Sequence, residues 1–384
     1  MTLDVVSSDL ERASADPGAI GPVVAALQGF GAGLWERVAT EPGNVAISPY
    51  SVLTALAMTA NGAVGRTQEE MLEVLGAEQE DLNAGVNALT RQVESLARRK
   101  VVVDAANQLF GQRGTHWERD FLDVLAREYG AAMRLVDYVG DTEGSRHAVN
   151  AWTAEQTHDR IEEILPGGSV DASTRLVLVN TLYLKAAWAE PFEKTSTSDR
   201  PFHLADGPAV SVPTMTGIAA GAAFGRGDGW TAVRLPYAGG ELAMTLLLPE
   251  PGRELPIADV PAVLASVRPA GVELSLPRFT FRTKLSLGRP LAALGMPTAF
   301  TPGSADLSAM THDEPLYLDQ VFHEVFVAVD EEGTEAAAAT AVAVRTTSMP
   351  VAQERMVLDR PFGFVVHDVE HGAPLFVGRV DDPR

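Results

Sequence analysis

Cysteine is absent from the 384 residues, which excludes a disulfide framework, a thiol nucleophile and cysteine-ligated metal. Positive charge is scarce: 30 Lys and Arg stand against 51 Asp and Glu, a formal net charge of -21. Nucleic acid and anionic membrane are therefore not expected as partners, because phosphate binding needs clustered cations. The one basic knot, Arg98-Arg99-Lys100, reads as a solvated helix end. No Asn-x-Ser/Thr acceptor and no internal repeat occurs, and no run of about 20 apolar residues suggests a membrane span. The acidic start "MTLDVVSSDLERASADPGAIGP" lacks the basic and apolar parts of a signal peptide. The expectation is a soluble protein, cytoplasmic or non-classically exported.

Catalytic motifs are missing too. There is no G-x-S-x-G elbow and no H-E-x-x-H helix, and "NGAVGRT" lacks the Lys and spacing of a phosphate loop, so it reads as a helix end and turn. "HDVEH" sets His367 and His371 four apart, but its setting, "FGFVVHDVEHGAPLFVGRV", is a hairpin of two apolar strands around a polar turn, which disfavours metal. "GRGDGW" reads as a tight turn, and His323, alone on a strand, as a hydrogen-bonded core residue. An enzyme is not expected, and no cofactor is implied.

What is present is enough apolar content, 46%, for a large core. Helical periodicity marks Val23 to Val38 and Tyr50 to Ala60, and helices fit Thr67 to Leu75, Asp81 to Ala97, Glu118 to Tyr129 and Ser145 to Ile164. Strands fit Val101 to Phe110, Arg175 to Lys185, Ala243 to Leu248, Val272 to Phe281 and Val321 to Asp330. Early helices, late strands and no linker predict one α+β domain over 21–384, preceded by an N-terminal extension over 1–20.

One segment fits neither core nor loop. After Gly333, "DEEGTEAAAATAVAVRTTSMP" runs sixteen residues without Gly or Pro, is uniformly small and ends β-branched. Split by alternate residues, one face carries Thr334, Ala336, Ala338, Thr340, Val342 and Val344, while Glu335 and Arg345 fall on the other. That is a strand pattern with one buried face.

The motifs "NVAISPYSVLTALAMTANGAVGRTQEEM", "LVNTLYLKAAWAEPFE", "SADLSAM", "DEEGTEAAAAT" and "LDRPFGFVVHDVEHGAPLFVGRV" occur in the order and spacing of the serpins. The chain resembles an inhibitory, prokaryote-like member of that family from about residue 20 onward. Gly363 departs from the pattern, which usually has an apolar side chain there. The resemblance implies an α+β fold of three β-sheets with eight or nine helices and a reactive-centre loop over about 331–356. It implies a suicide-substrate inhibitor of serine proteases, which traps the acyl-enzyme by inserting the cut loop into the central sheet. The alternative is a non-inhibitory binding or chaperone-like protein of the same fold.

Residue by residue, the resemblance makes Glu331, Gly333, Thr334, Ala336, Ala338 and Thr340 the hinge. It places Trp188, Arg278 and Glu331 at the breach where the loop enters, and Ser48, Ser51, Asn150, Asn180 and His323 in a polar shutter beneath the sheet. Family spacing puts the reactive bond at Thr347-Ser348, with Arg345, Met349 and Pro350 as alternatives. Small residues there suit elastase- or subtilisin-like proteases with shallow pockets, and Arg345 suits a trypsin-like one, but a cut there would shorten the inserted strand. The expected partner is an elastase-, subtilisin- or chymotrypsin-like serine protease. The expected inhibitor is a monomer.

Overall fold

A computed structural model describes residues 3–96, 101–334 and 352–384. Among them are eight α-helices: Ile20–Val38 (α1), Pro49–Ala60 (α2), Gly65–Leu75 (α3), Gln79–Leu96 (α4), Arg119–Val124 (α5), Thr142–Gln156 (α6), Val260–Ser266 (α7) and Gly288–Leu294 (α8). They surround three sheets, as expected of an α+β serpin fold. The knot at 98–100 and the segment from Glu335 to Val351 lie outside the described residues.

The largest functional element is a mixed sheet. Its strands are Asp4–Val6 (β1), Val101–Gln112 (β2), Met133–Val136 (β3), Leu176–Ala187 (β4), Phe279–Ser286 (β5), Gln320–Val329 (β6) and Gly333–Thr334 (β7), in the spatial order β1-β3-β2-β4-β7-β6-β5. β4 and β6 pair parallel from Val177–Leu182 against Gln320–Val325, then part above that point to admit β7. A second seven-stranded sheet contains the hairpin Phe362–Asp368 and Pro374–Val380, and a four-stranded sheet contains Val272–Pro277. All of α2 is buried, because it packs on both large sheets as well as on α1, α3 and α4. Ser48 caps it, accepting from the Ser51 N–H at 3.1 Å.

Four expectations change. The helix expected to run from Ser145 to Ile164 stops at Gln156, where Thr157 caps it and His158 and Asp159 turn to positive φ. The strand expected from Val272 to Phe281 is two strands in different sheets, split after Pro277, with the Arg278 N–H donating to Pro213. The helix expected at Glu118 to Tyr129 is α-helical only to Val124 and then widens into a π turn. Finally, Pro17–Val38 is long and apolar enough to cross a membrane by length and composition, but in the fold its stripe packs on α2, α4 and α8.

The first residues join the body. β1 pairs with β3, Arg12 donates to Asn87 at 2.8 Å and meets Glu94 at 3.0 Å, and the Ala13 N–H reaches Arg127 at 2.7 Å. At Gly363, where a larger apolar residue was expected, a Cβ would lie 3.1 Å from Leu255 and 3.5 Å from Ile257, so those side chains fill the place.

Candidate functional site

β6 ends at Val329 and the chain reverses through Asp330, Glu331 and Glu332. The Asp330 carboxylate accepts from the backbone N–H groups of Glu332 at 2.8 Å and Gly333 at 3.2 Å, a side-chain-stabilised turn. The Glu332 and Glu331 carbonyls accept from Trp188 and Phe192, both at 2.9 Å, which ties the turn to the chain leaving β4. Gly333 and Thr334 then stand between β4 and β6: Thr334 pairs with Ala186 on one side and Val329 on the other. Gly333 has φ +152°, and a Cβ there would lie 2.0 Å from the Ala186 carbonyl oxygen. Only glycine fits this approach.

Thr334 is buried, its hydroxyl 2.6 Å from the Tyr237 hydroxyl. Tyr237 stacks on Trp188, centroids 4.7 Å apart with ring planes within 3°, and the Trp188 indole donates to the Asp330 carbonyl at 3.0 Å. Beside them the Glu331 side chain is only 2% exposed. Its Oε1 accepts from Arg278 Nε at 2.8 Å, and also from Arg278 Nη2 and the Thr197 hydroxyl. Burial opposes the charge, yet the Arg278 and Thr197 donors outweigh it and hold the carboxyl below its ordinary range. The Trp188, Arg278 and Glu331 named from sequence are thus brought together, with Tyr237, Thr197 and Asp330 added.

Lower in the sheet, register aligns three polar residues across three strands: Asn107 on β2 faces Asn180 on β4, which faces His323 on β6. Beneath them, His323 Nε2 accepts from the Ser48 N–H at 3.0 Å, and the Ser51 hydroxyl donates to Asn107 at 2.6 Å. His323 is fully buried, and burial pushes its pKa down to about 4, so the ring is neutral near pH 7. Among the described residues, both polar atoms of the Asn180 side chain and the Thr181 hydroxyl have no partner. Asn150 does not join this group; it binds the Leu165 backbone, donating at 2.9 Å and accepting at 2.8 Å. Its amide fixes the chain after α6 instead.

The family model described as Serpin (serine protease inhibitor) matches residues 25–383. The chain is a serpin. An uncharacterized serpin-like protein of Thermococcus kodakarensis is 34% identical over 374 residues, covering 94% of this chain and 86% of its own. Leukocyte elastase inhibitor of Xenopus tropicalis is 33% identical over 354 residues, covering 89% and 93%. Serpin B9 of Homo sapiens is 34% identical over 351 residues, covering 88% and 93%. In three dimensions the serpin resembles the native state of the thermophilic serpin Tengpin, with a TM-score of 0.87 at 26% identity, covering 98% of this chain and 97% of that one.

Ala336, Ala338, Thr340, Arg345, Thr347, Ser348, Met349 and Pro350 lie outside the described residues. Among those described, Asn107 escaped the sequence reading although a signal existed: an amide inside the apolar strand "VVVDAANQLF". Tyr237 and Thr197 carried none, since nothing local distinguishes them. In the hairpin, His367 is buried against the Thr245 hydroxyl at 2.9 Å, in keeping with a structural role for "HDVEH".

Proposed function

We propose that this serpin is a suicide-substrate inhibitor of serine proteases, in which the loop following Thr334 is cut and then inserted between β4 and β6. The observation that carries this reading is β7: Gly333 already pairs with β4 and Thr334 with both β4 and β6, in the antiparallel sense that continued insertion needs. About ten further residues, each gaining ladder bonds at roughly 0.5 to 1.5 kcal/mol net, would release on the order of 10 kcal/mol. An uncut chain below such a drop is held kinetically. Displacement before deacylation would distort the protease, so that the donors of its oxyanion hole no longer surround the acyl carbonyl and deacylation stalls.

In this reading Gly333 and Thr334 are the seated start of the strand, Glu331 with Arg278 and Trp188 fixes its upper end, and Asn180 and His323 are the polar groups it passes. Thr347-Ser348 is the proposed bond, and an elastase-like target is supported by the relatives named leukocyte elastase inhibitors. The test is to mix the protein with elastase-, subtilisin-, chymotrypsin- and trypsin-like enzymes. A denaturant-resistant covalent complex with at least one is expected, with a released C-terminal peptide beginning at Ser348 by mass spectrometry. Cleavage by every enzyme without a complex would instead support the non-inhibitory binding protein.

A further inference from the structure

Where the three sheets meet, beside the turn that precedes Gly333, lies a cleft of about 160 Å³. One wall is the chain leaving β4, from Trp188 to Glu193; the others are the strand Val210–Ala219 of the four-stranded sheet and Leu235 and Pro236 of the second large sheet. Main-chain bonds fix the first wall: the Trp188 and Phe192 N–H groups reach the turn, and the Ala189 N–H donates to the Pro236 carbonyl at 3.0 Å. Glycine keeps two sides bare. A Cβ at Gly217 would lie 3.3 Å from the Phe192 ring, and one at Gly221 3.3 Å from Glu190 Oε1. The volume is close to the roughly 150 Å³ that accepts a single benzene ring.

The lining indicates what fits. Its accessible surface is mostly apolar: Phe192, Ala219 and Pro236 are half-buried there, and Ile218 is 41% exposed. A ring seated against them would take that surface out of water. No Lys, Arg or His lines the cleft, whereas Glu190 and Glu193 do. Glu190 Oε2 accepts from the Ala220 N–H at 2.8 Å, which holds that carboxylate in place. Among the described residues neither glutamate has a cationic partner, and the adjacent Lys194 is taken by Glu332 at 2.6 Å. An anionic ligand would meet like charge here, and a neutral ring would leave both glutamates unused. A ring that carries an ammonium suits both halves.

We propose that this cleft binds a small aromatic amine, its ring laid against Phe192, Ile218 and Pro236 and its ammonium received by Glu190 and Glu193. The proposal is independent of the protease reading. Its test is calorimetric titration of the full chain with phenethylamine, with 2-phenylethanol as the neutral control and ethylamine as the control for general attraction to an acidic protein. Phenethylamine should bind at one saturable site. The alcohol should bind several-fold more weakly, the scale set by exposed ion pairs, and ethylamine should show no saturable binding. Glu190→Gln combined with Glu193→Gln should bring phenethylamine down to the level of the alcohol while leaving the alcohol unchanged. Ile218→Ala, at an exposed position, should weaken both ring compounds several-fold; an unchanged unfolding midpoint will show that its fold is intact. Absence of saturable phenethylamine binding, equal binding of phenethylamine and either control, or indifference to these substitutions would overturn the proposal.

Discussion

At the top of the large sheet the buried polar groups are engaged: Glu331 has Arg278 and Thr197, and Thr334 has Tyr237. Half a strand lower, Asn180 and Thr181 leave three buried polar atoms without partners among the described residues. The two regions share strands, depth and apolar surroundings, so the difference lies in whether a strand stands between β4 and β6. Where β7 does, the polar groups are satisfied. Where β4 and β6 pair directly, hydrogen-bonding capacity remains unused. On the proposed function, the first region fixes the present state and the second favours leaving it.

The sharpest way to break the comparison is Gly333→Ala. A methyl 2.0 Å from the Ala186 oxygen, at a φ that side chains resist, should drive β7 out of the sheet, at a cost of about 3 kcal/mol or more. The variant should turn from inhibitor to substrate, read as loss of covalent complex on gels with cleavage retained.

The next largest effect is one of pH. His323 and His367 have folded-state pKa values of about 4, below the ordinary 6.5. Between these values the unfolded chain takes up protons that the fold refuses. Their contribution is therefore full above pH 6.5 and lost as pH falls toward 4, at about 1.4 kcal/mol per pH unit for each ring. Denaturant midpoints measured across this range should fall, and His323→Gln should reduce the slope by about half.

Glu331→Gln should cost about 2 kcal/mol, less than for a sealed ion pair because Arg278 is 44% exposed and can turn to water. The lowered carboxyl pKa means that this loss is present at neutral pH and disappears as pH drops below the ordinary carboxylate range; urea titrations at pH 7 and pH 3.5 would distinguish the two. The smallest effect has the opposite sign. Asn180→Leu removes two orphaned groups and should stabilise the uncut chain by about 1 kcal/mol, while reducing the gain in melting temperature on cleavage.

The sequence made the long helices plain, because α1, α3 and α4 each turn one apolar stripe inward, while α2, buried on every side, announces itself by its Ser48 cap and apolar run. The short edge strands were not legible: two to five residues such as Asp4–Val6 or Ser198–Phe202 gain their structure from partners far along the chain. The end of α6 was missed because its stop depends on the backbone at His158 and Asp159, where apolar periodicity is silent. At the site, motif spacing led to Glu331 and Arg278, and their contact is direct. Tyr237 and Thr197 could not have been found this way, since they matter only through distances closed by the fold. Asn150 was misplaced because a buried amide satisfied by nearby backbone looks, in sequence, like one that serves a distant cluster.

The pairing of β7 also acts as a ruler. Thr334 stands opposite Ala186 and Val329, so a strand carried downward without slippage would bring position 340 between Asn180 and His323. That position is a threonine, whose hydroxyl both donates and accepts, within an otherwise alanine-rich stretch. It would complete a four-strand row from Asn107 to His323. On the same ruler β4 is exhausted opposite position 344 and β6 opposite 343, about 33 Å below Thr334. Both the Arg345-Thr346 and the Thr347-Ser348 bonds fall past the end of this template, so a cut at Arg345 would not shorten the strand after all. The choice of protease would then be free to change without altering how far the protease is carried.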